Sequence, residues 1–476
     1  MTTAVESAPA AGRALFFLFL LVLIWAPLPF GSNHLWSWSL LEAWVLLMAS
    51  AWLALFVAGR AKTTRAFRRA WPALALFVGV FVLVQMQLMP LPATVLAWLS
   101  PPAADIHATT QTANTITLDP AATRAAALKT LTYGTLFALT LLLVDSRARL
   151  RSLGLALVIS GVFQAAYGGL MTLSGLEYGF FIAKEHGTGA VTGTFVNANH
   201  LAGYLEMCLG VGAGLMLADM STRPAANMRE SLRRILSSIL GNQGPVRLSL
   251  VIMVIGIVLS KSRMGNIAFF SSLIMAGTLY AFIARRLSLG TVVFFVSVVL
   301  IDILIIGNYF GIDRVAEEIQ QGLRLDSSIS VKEYRPAVYE DTLQIVRDYP
   351  VTGAGAGSFA SVYPMYNDGD TGFLFWKHAH NDYLQFAAEF GLLGLVMLGG
   401  IVLLSAWMAI SAQFRRRSQM MRGMACGILM AIIAMLIHSA VDFNLQIPAN
   451  AATFVVILAM AWLTRWLHRT KTARRA

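Results

Sequence analysis

Long apolar runs recur along the whole chain. Each is about 20 residues long, which is the length that a helix needs to cross the hydrocarbon core of a bilayer. Of the 476 residues, 57% are hydrophobic and only 13% are charged, whereas a soluble protein carries roughly a quarter charged residues. The sequence therefore predicts an all-α polytopic membrane protein.

Twelve membrane spans are predicted, and residues 1–476 then form a single integral membrane domain. A long loop, residues 310–382, separates the ninth span from the tenth. The spans are placed at residues 14–31, 39–59, 71–89, 125–145, 152–174, 198–220, 248–261, 265–284, 289–309, 383–412, 420–440 and 449–467.

The basic residues predict the orientation. With the N-terminus in the cytoplasm, 25 of the 36 Lys and Arg residues fall on the cytoplasmic side. Of the other 11, six lie in the loop 310–382, where the positive-inside rule has least force. We expect both termini in the cytoplasm and the long loop outside. The same distribution explains the net charge of +12, so no nucleic-acid partner is predicted.

Two histidines, His378 and His380, lie at the outer entrance of the tenth span. At about 100° per residue, one stripe of the following helix would carry His380, Leu384, Ala387, Gly391 and Gly394. Small residues below the histidine would let another helix approach closely. An imidazole titrates near ambient pH, which suits proton transfer. His380 is therefore the predicted catalytic residue.

A metal site is the weaker interpretation of these histidines. His378, His380 and Asp382 are residue types that zinc accepts. However, two imidazoles two residues apart at a helix entrance do not share one helix face as an i, i+4 pair does. A histidine that caps or packs the helix remains an alternative, and no metal or other cofactor is predicted.

Two cations, Lys261 and Arg263, lie between two spans with almost no loop. Arginine at the outer end of a hairpin runs against the orientation bias. A guanidinium suits bidentate phosphate binding, which we favour over interfacial snorkelling.

The long loop contains a predicted amphipathic helix over residues 335–350, begun by Pro336 and ended by Pro350. The glycine-rich residues 353–357 follow, but no parallel strand precedes them, so nucleotide binding is poorly supported. The helix and turn would form a wall of a cleft at the bilayer surface or simply pack onto the bundle.

Ionisable residues within the apolar runs are few, namely Glu42, Glu206, Asp302, Glu389 and Asp442. A proton-coupled transporter usually shows paired charges near the midplane and related halves. Neither is visible, and the polar motifs gather on one side. This favours an enzyme at the membrane surface, with a flippase or exporter of lipid-linked saccharides as the alternative.

These motifs together resemble the O-antigen ligase and O-antigen polymerase superfamily over roughly residues 115–445. The most specific match is His380-Asn381, a gap of nine residues, and then Gly-Leu-Leu-Gly at 391–394. Further matches are Gly-Thr-Phe-x-Asn-x-Asn-His at 193–200, Ser262-Arg263, Arg335 and the turn over 350–359.

The resemblance implies a GT-C-type glycosyltransferase in the bacterial inner membrane. It would transfer a glycan from undecaprenyl pyrophosphate to an acceptor hydroxyl on the periplasmic side, without a metal. The acceptor would be lipid A core in a ligase, or another glycan in an O-antigen or exopolysaccharide polymerase, for which a chain-length regulator is a further expected partner.

By position in the motifs, the resemblance makes His380 the catalytic base or the residue that positions the acceptor, and Arg263 the pyrophosphate ligand. Related sequences often carry an arginine where this chain has Val191 or Ala198, so the second phosphate cation would be Lys184 or Arg335. The other residues expected to bind substrate are Lys261, Asn197, Asn199, His200, His378 and Asn381.

Overall fold

The computed structural model of the chain describes residues 10–184, 187–219, 229, 244–284, 334–367 and 375–467. These ranges are helical, with no β-structure beyond one isolated bridge between Tyr178 and Ala183. The helices are α1 (Ala10–Trp25), α2 (Leu35–Val57), α3 (Arg65–Arg69), α4 (Trp71–Leu88), α5 (Ala93–Leu99), α6 (Pro101–Thr110), α7 (Pro120–Leu143), α8 (Arg147–Leu173), α9 (Ala198–Asp219), α10 (Gly244–Leu259), α11 (Arg263–Ala284), α12 (Arg335–Asp348), α13 (Phe359–Val362), α14 (Asp382–Arg415), α15 (Gln419–His438) and α16 (Pro448–Trp466).

Predicted spans and observed helices agree in position. Each predicted span overlaps a helix, except that span 289–309, with Asp302, lies outside the described residues. Within the described ranges, nine helices are long and apolar enough to cross a membrane, and α1 and α10 are shorter apolar helices. The chain is therefore a multi-pass membrane protein, and the count of twelve spans stays a prediction.

Local sequence signals set several helix boundaries. The Asp119 carboxylate accepts hydrogen bonds from the amides of Ala121 and Ala122 at 3.1 and 3.0 Å, and so caps α7 just before its first residue, Pro120. The amphipathic helix predicted in the long loop is α12, which ends at Asp348, two residues before Pro350.

Helix α9 forms the centre of the bundle, with nearly all of its length buried. Glycines let it approach α15 closely: a Cβ added at Gly427 would lie 2.6 Å from the Cα of Gly214 and would also clash with the carbonyl of Gly210. In a membrane, such close packing of small residues is a main source of helix association.

The ends of the helices lie in two layers, one at each end of the bundle. At one end of the bundle, which we call the polar end, the Gln87 amide of α4 donates hydrogen bonds to the carbonyls of Thr352 and Glu389 at 2.6 and 2.9 Å. The Asn450 amide of α16 donates to the carbonyl of His200 at 2.9 Å. The loops that follow α4 and precede α9, α14 and α16 therefore meet at this end.

Arginines mark the opposite end. Arg149 donates to the carbonyl of Gly12, and Arg151 makes a bidentate salt bridge to Asp219 with both contacts at 2.6 Å. Arg416 donates to the carbonyl of Leu467 at 3.0 Å. These arginines belong to segments that the positive-inside rule predicts to be cytoplasmic.

The expected stripe below His380 does not form as predicted. His380 lies before the helix, and α14 itself breaks at Gly391, whose φ of 65° and ψ of −179° are accessible only to glycine. The amide of Leu392 donates to the carbonyl of Pro350 at 2.8 Å. The expectation that a helix packs at Gly391 is wrong, because the backbone of the turn at Val351 occupies that space.

At Gly394 the expectation of a close helix holds. A Cβ added there would lie 3.1 Å from Leu83 of α4 and would also clash with Phe390. The two glycines of the 391–394 motif therefore have different roles. Gly391 lets a loop pack closely, and Gly394 lets a helix pack closely.

Replacing Gly391 by Ala should destabilise the protein by at least about 1–3 kcal/mol, because the backbone conformation is strained for any L side chain and the turn leaves no room for a methyl group. Gly399 is the matched control, since it lies in the same helix with nothing within 4 Å of an added Cβ. Gly399→Ala should be neutral or stabilising. Thermal unfolding in detergent measures both, and equal midpoints for the two variants would contradict the assignment.

Candidate functional site

Three histidines that are far apart in sequence meet around one aromatic ring at the polar end. The ring centroid of Phe443 lies 4.6 Å from that of His200, 4.3 Å from His378 and 4.7 Å from His380. His378 stacks on Phe443, whereas the other two imidazoles meet it edge-on. We call these three residues the histidine cluster.

A buried carboxylate lies beside the cluster. Asp442 is 1% exposed, and its Oδ1 lies 3.9 Å from Nε2 of His200 and 3.8 Å from Nδ1 of His380. Its Oδ2 lies 4.0 Å from Nε2 of His438. These separations exceed hydrogen-bond length, but catalytic contacts commonly tighten when substrate binds.

The loop that carries Asp442 and Phe443 is fixed by Asp382. The Asp382 carboxylate accepts hydrogen bonds from the Ser439 hydroxyl at 2.8 Å and from the Leu445 amide at 3.0 Å. Its own amide donates to the carbonyls of Ser439 and Asp442 at 2.9 and 3.2 Å. The start of α14 and the loop after α15 are thereby joined as one unit.

His380 has an unusual backbone, with φ at 53°. Its carbonyl accepts a hydrogen bond from the Tyr339 hydroxyl of α12 at 2.9 Å, and its ring meets Trp376 edge-on at 5.4 Å. The next residue, Asn381, caps α14 by accepting from the amides of Tyr383 and Leu384 at 3.0 and 3.1 Å. The amide oxygen of Asn381 is thus committed to the helix, while His380 is turned toward Asp442.

His378 has a different set of partners. The Gln385 amide nitrogen lies 3.2 Å from its Nδ1 and donates to Glu389 at 2.9 Å, while the Gln385 carbonyl oxygen accepts from the amide of Ala379. Because the nitrogen of Gln385 is a donor, Nδ1 of His378 is the acceptor, and its proton lies on Nε2. His378 is therefore set up to donate a hydrogen bond.

Burial controls the charges of these side chains. It lowers the pKa of His378 to about 3, helped by the neighbouring His200. It also lowers the pKa of His380 to about 4, and Arg335 adds to the effect while Asp442 opposes it. Burial alone would raise the pKa of Asp442, but His200, His438 and its other partners lower it overall. At neutral pH the two histidines are uncharged and Asp442 is ionised.

The predicted cations lie in two places. Arg335 starts α12 beside the cluster and donates to the carbonyl of Val441 at 3.0 Å. Lys261 and Arg263 are exposed at the junction of α10 and α11. A Cβ added at Gly265 would lie within 3.2 Å of Glu206 on α9, so this junction packs against the helix whose first turn carries His200.

Lys184 is already paired among the described residues. Its ammonium lies 2.7 Å from Glu177, 3.0 Å from the carbonyl of Ala190 and 3.3 Å from the hydroxyl of Thr172. An ammonium has three hydrogens to donate, so a phosphate would have to displace one of these partners. Arg335 is therefore the better placed of the two predicted second cations.

Hydrogen bonds fix the segment just before α9, next to His200. The Asn197 side chain accepts from the amide of Asn199 at 2.9 Å, and its carbonyl accepts from the amide of His200. Asn199 is partly exposed at the first turn of α9. Of the sequence-predicted residues, the structure brings together His200, His378, His380 and Arg335, and it gives Asn197 and Asn381 capping roles.

The backbone amides of the glycine-rich turn are used by the protein. Those of Ala354 and Gly355 donate to the carbonyls of Ala388 and Glu389 at 2.9 and 3.2 Å, and those of Ala356 and Gly357 donate to Gln87 and the Glu389 side chain at 3.0 Å. These amides are not arranged to hold a phosphate.

The Asp382 carboxylate accepts hydrogen bonds from Ser439 and Leu445. In the part of the chain that the structure describes, no group of three or more His, Cys, Asp or Glu residues is arranged to hold a metal ion.

Several site residues were not predicted from sequence. Asp442 and Glu389 were noted as charges in or near apolar runs, which is itself a signal of function, but their partners could not be identified. Phe443 and Gln385 carry no comparable signal, because a phenylalanine or a lone amide near a span resembles ordinary core or interface residues.

Comparison with known proteins gives an independent result. Residues 248–399 match the sequence model of the family described as O-antigen ligase. The match covers about a third of the chain and supports its similarity to the O-antigen ligase and polymerase superfamily. No curated protein matches the chain. The family match supports glycan transfer of the O-antigen ligase or polymerase type, with a lipid-linked glycan donor and a glycan or lipid A acceptor, in lipopolysaccharide biosynthesis.

Replacing Asp382 by Ala should destabilise the protein by about 1–3 kcal/mol, because it leaves the Ser439 hydroxyl and the Leu445 amide without their acceptor. Asp105→Ala is the control, since Asp105 is an exposed carboxylate at the same end. Thermal unfolding in detergent measures the difference. An Asp382→Ala midpoint equal to that of Asp105→Ala would refute the role of Asp382 in fixing the loop.

Proposed function

We propose that the chain transfers an undecaprenyl-pyrophosphate-linked glycan to an acceptor hydroxyl at the periplasmic face of the bacterial inner membrane. The acceptor is lipid A core if the protein is a ligase, or a glycan repeat if it is an O-antigen or exopolysaccharide polymerase. The observation that supports this most strongly is the placement of His380 beside the buried carboxylate of Asp442, at the end of the bundle where the helix-connecting loops meet.

His380 is the proposed proton acceptor. Its Nδ1 faces Asp442 at 3.8 Å, so the carboxylate orients the Nδ1–H tautomer and leaves the Nε2 lone pair for the acceptor hydroxyl. Asp442 also stabilises the imidazolium that forms when this proton arrives. Without a bound anion the base is weak, because its pKa is about 4. A pyrophosphate bound beside it would raise this pKa toward ambient pH.

The reaction is a substitution at the anomeric carbon. The acceptor oxygen forms the new glycosidic bond while the bond from the anomeric carbon to the phosphate oxygen breaks. The electron pair of the broken bond stays on undecaprenyl pyrophosphate, and the proton of the hydroxyl passes to Nε2 of His380. The products are the glycosylated acceptor and free undecaprenyl pyrophosphate.

Fixed cations stabilise the charge that develops on the leaving group. In this proposal Arg263 and Arg335 bind the pyrophosphate, with Lys261 adjacent, and Nε2–H of His378 donates a hydrogen bond to the donor. Prepositioned charges in a site shielded from water are more effective than the same charges in bulk solvent. The arrangement supplies this stabilisation without a metal ion.

The proposed location follows from the two ends of the bundle. If the arginine-rich end is cytoplasmic, as the positive-inside rule predicts, the polar end faces the periplasm and both termini lie in the cytoplasm. In this proposal residues 1–476 form one membrane domain, and its long loop, residues 310–382, lies on the periplasmic side. A polymerase would also work with a chain-length regulator. The family match favours glycan transfer over the flippase or exporter alternative.

The proposal predicts that His380→Ala lowers transfer at least a hundredfold, the typical contribution of a positioned general base. The donor is the undecaprenyl-pyrophosphate-linked glycan extracted from a strain that lacks this protein. Release of undecaprenyl pyrophosphate is measured in proteoliposomes, with the strain's lipid A core or the same glycan as acceptor. Lys377→Ala is the control, because Lys377 is exposed three residues earlier. Transfer by His380→Ala at the rate of Lys377→Ala would refute the proposal.

A further inference from the structure

A second pair of ionisable side chains lies below the histidine cluster and has no role in the proposed reaction so far. Glu206 of α9 and His438 of α15 are both fully buried, and Nδ1 of His438 lies 2.8 Å from the Glu206 carboxylate. Ionisable side chains inside an apolar bundle are costly, and they usually mark a functional site.

The pair is aimed at the proposed site. The other ring nitrogen of His438, Nε2, lies 4.0 Å from Oδ2 of Asp442, which is four residues further along the chain in the loop after α15. Neither atom has a hydrogen-bond partner among the described residues. The His438 ring therefore lies between two carboxylates, one on each nitrogen.

Hydrogen-bond chemistry indicates the protonation state that suits this arrangement. At 2.8 Å from a carboxylate, Nδ1 donates a hydrogen bond. A neutral ring would then turn the lone pair of Nε2 toward the negative Asp442, whereas a doubly protonated ring presents an N–H to each carboxylate. The doubly protonated ring satisfies both contacts.

The consequence reaches His380 through Asp442. Oδ2 of Asp442 faces His438, and Oδ1 faces His380 and His200. A positive ring on the Oδ2 side keeps this buried carboxylate ionised and fixes its orientation. Only an ionised Asp442 can hold the Nδ1–H tautomer of His380 and stabilise its protonated form.

We propose that Glu206 and His438 are positioning residues for glycan transfer, in which Glu206 holds His438 doubly protonated and His438 holds Asp442 ionised and directed at His380. This inference rests on the proposed function. Neither residue touches substrate, so the effect passes through Asp442.

The charged and titratable groups around the pair define its pH dependence. They are Glu206 and His200 on α9, Asp382 on α14, and Asp442 with its neighbour His380. Arg335 of α12 acts on His380, and the residue of α11 that lies against Glu206 is Gly265, which carries no charge. Activity requires a doubly protonated His438 and a neutral His380, so loss of the His438 proton sets the alkaline limit.

The test is the pH profile of the transfer reaction with Glu206→Gln, in the proteoliposome assay with the extracted donor. The variant keeps an acceptor for Nδ1–H but removes the negative charge, so His438 loses its proton more readily. The alkaline limb of kcat should move to lower pH by about one unit. At pH 7.5 kcat should fall by up to about tenfold, while KM for the donor stays within about threefold of wild type, because no substrate contact is lost.

The matched control is Tyr204→Phe. The Tyr204 hydroxyl donates to Ser160 at 2.8 Å, so this variant also removes a buried polar contact of α9, two residues from Glu206. It should change thermal stability without moving the pH profile. A pair that only holds helices together would give the same pattern in Glu206→Gln as in this control.

Glu206→Asp covers the case in which Glu206→Gln does not fold. It keeps the charge but withdraws it by one methylene group, so it should move the alkaline limb in the same direction by a smaller amount. A wild-type profile in Glu206→Gln, or in Glu206→Asp if only that variant folds, overturns the inference. If wild-type protein itself transfers no glycan, the proposed function fails instead.

Discussion

The junction between the head of α14 and the loop after α15 determines the rest of the site. Asp382 makes this junction, because its carboxylate and amide bind both ends of the segment that carries Asp442 and Phe443. Only when this segment is fixed do three histidines from distant parts of the chain share one aromatic ring. Burial of a carboxylate is energetically unfavourable unless it is hydrogen-bonded, and here its hydrogen bonds fix the position of the loop.

The apolar bundle can hold such a site only because its helices and loops pack unusually closely. The glycines of α9 and α15 bring two backbones together, which places Glu206 within 2.8 Å of His438. Gly391 allows a loop to approach in the same way, because the turn after α12 packs against the break in α14. The 391–394 glycine motif thus supports the site by packing, and the chemistry belongs to the side chains above it.

The sequence predicted the helices well and the site in part. Apolar runs and prolines predicted the elements, because each is a local signal. His380 and Arg335 were found through motifs. The partnership of His380 with Asp442 was missed because it joins residues more than 60 positions apart, and the break at Gly391 was missed because helical periodicity assumes an unbroken helix. Both depend on tertiary contacts that one sequence does not display.

The most direct test of the account is a cryo-EM structure of the protein with undecaprenyl pyrophosphate bound in a lipid nanodisc. The account predicts the pyrophosphate at the polar end, within hydrogen-bond distance of Arg263 and Arg335 and next to His380, with the imidazole drawn closer to Asp442 than the present 3.8 Å. A pyrophosphate bound at the arginine-rich end, or on the polar end with His380 turned away from it, would contradict the central claim.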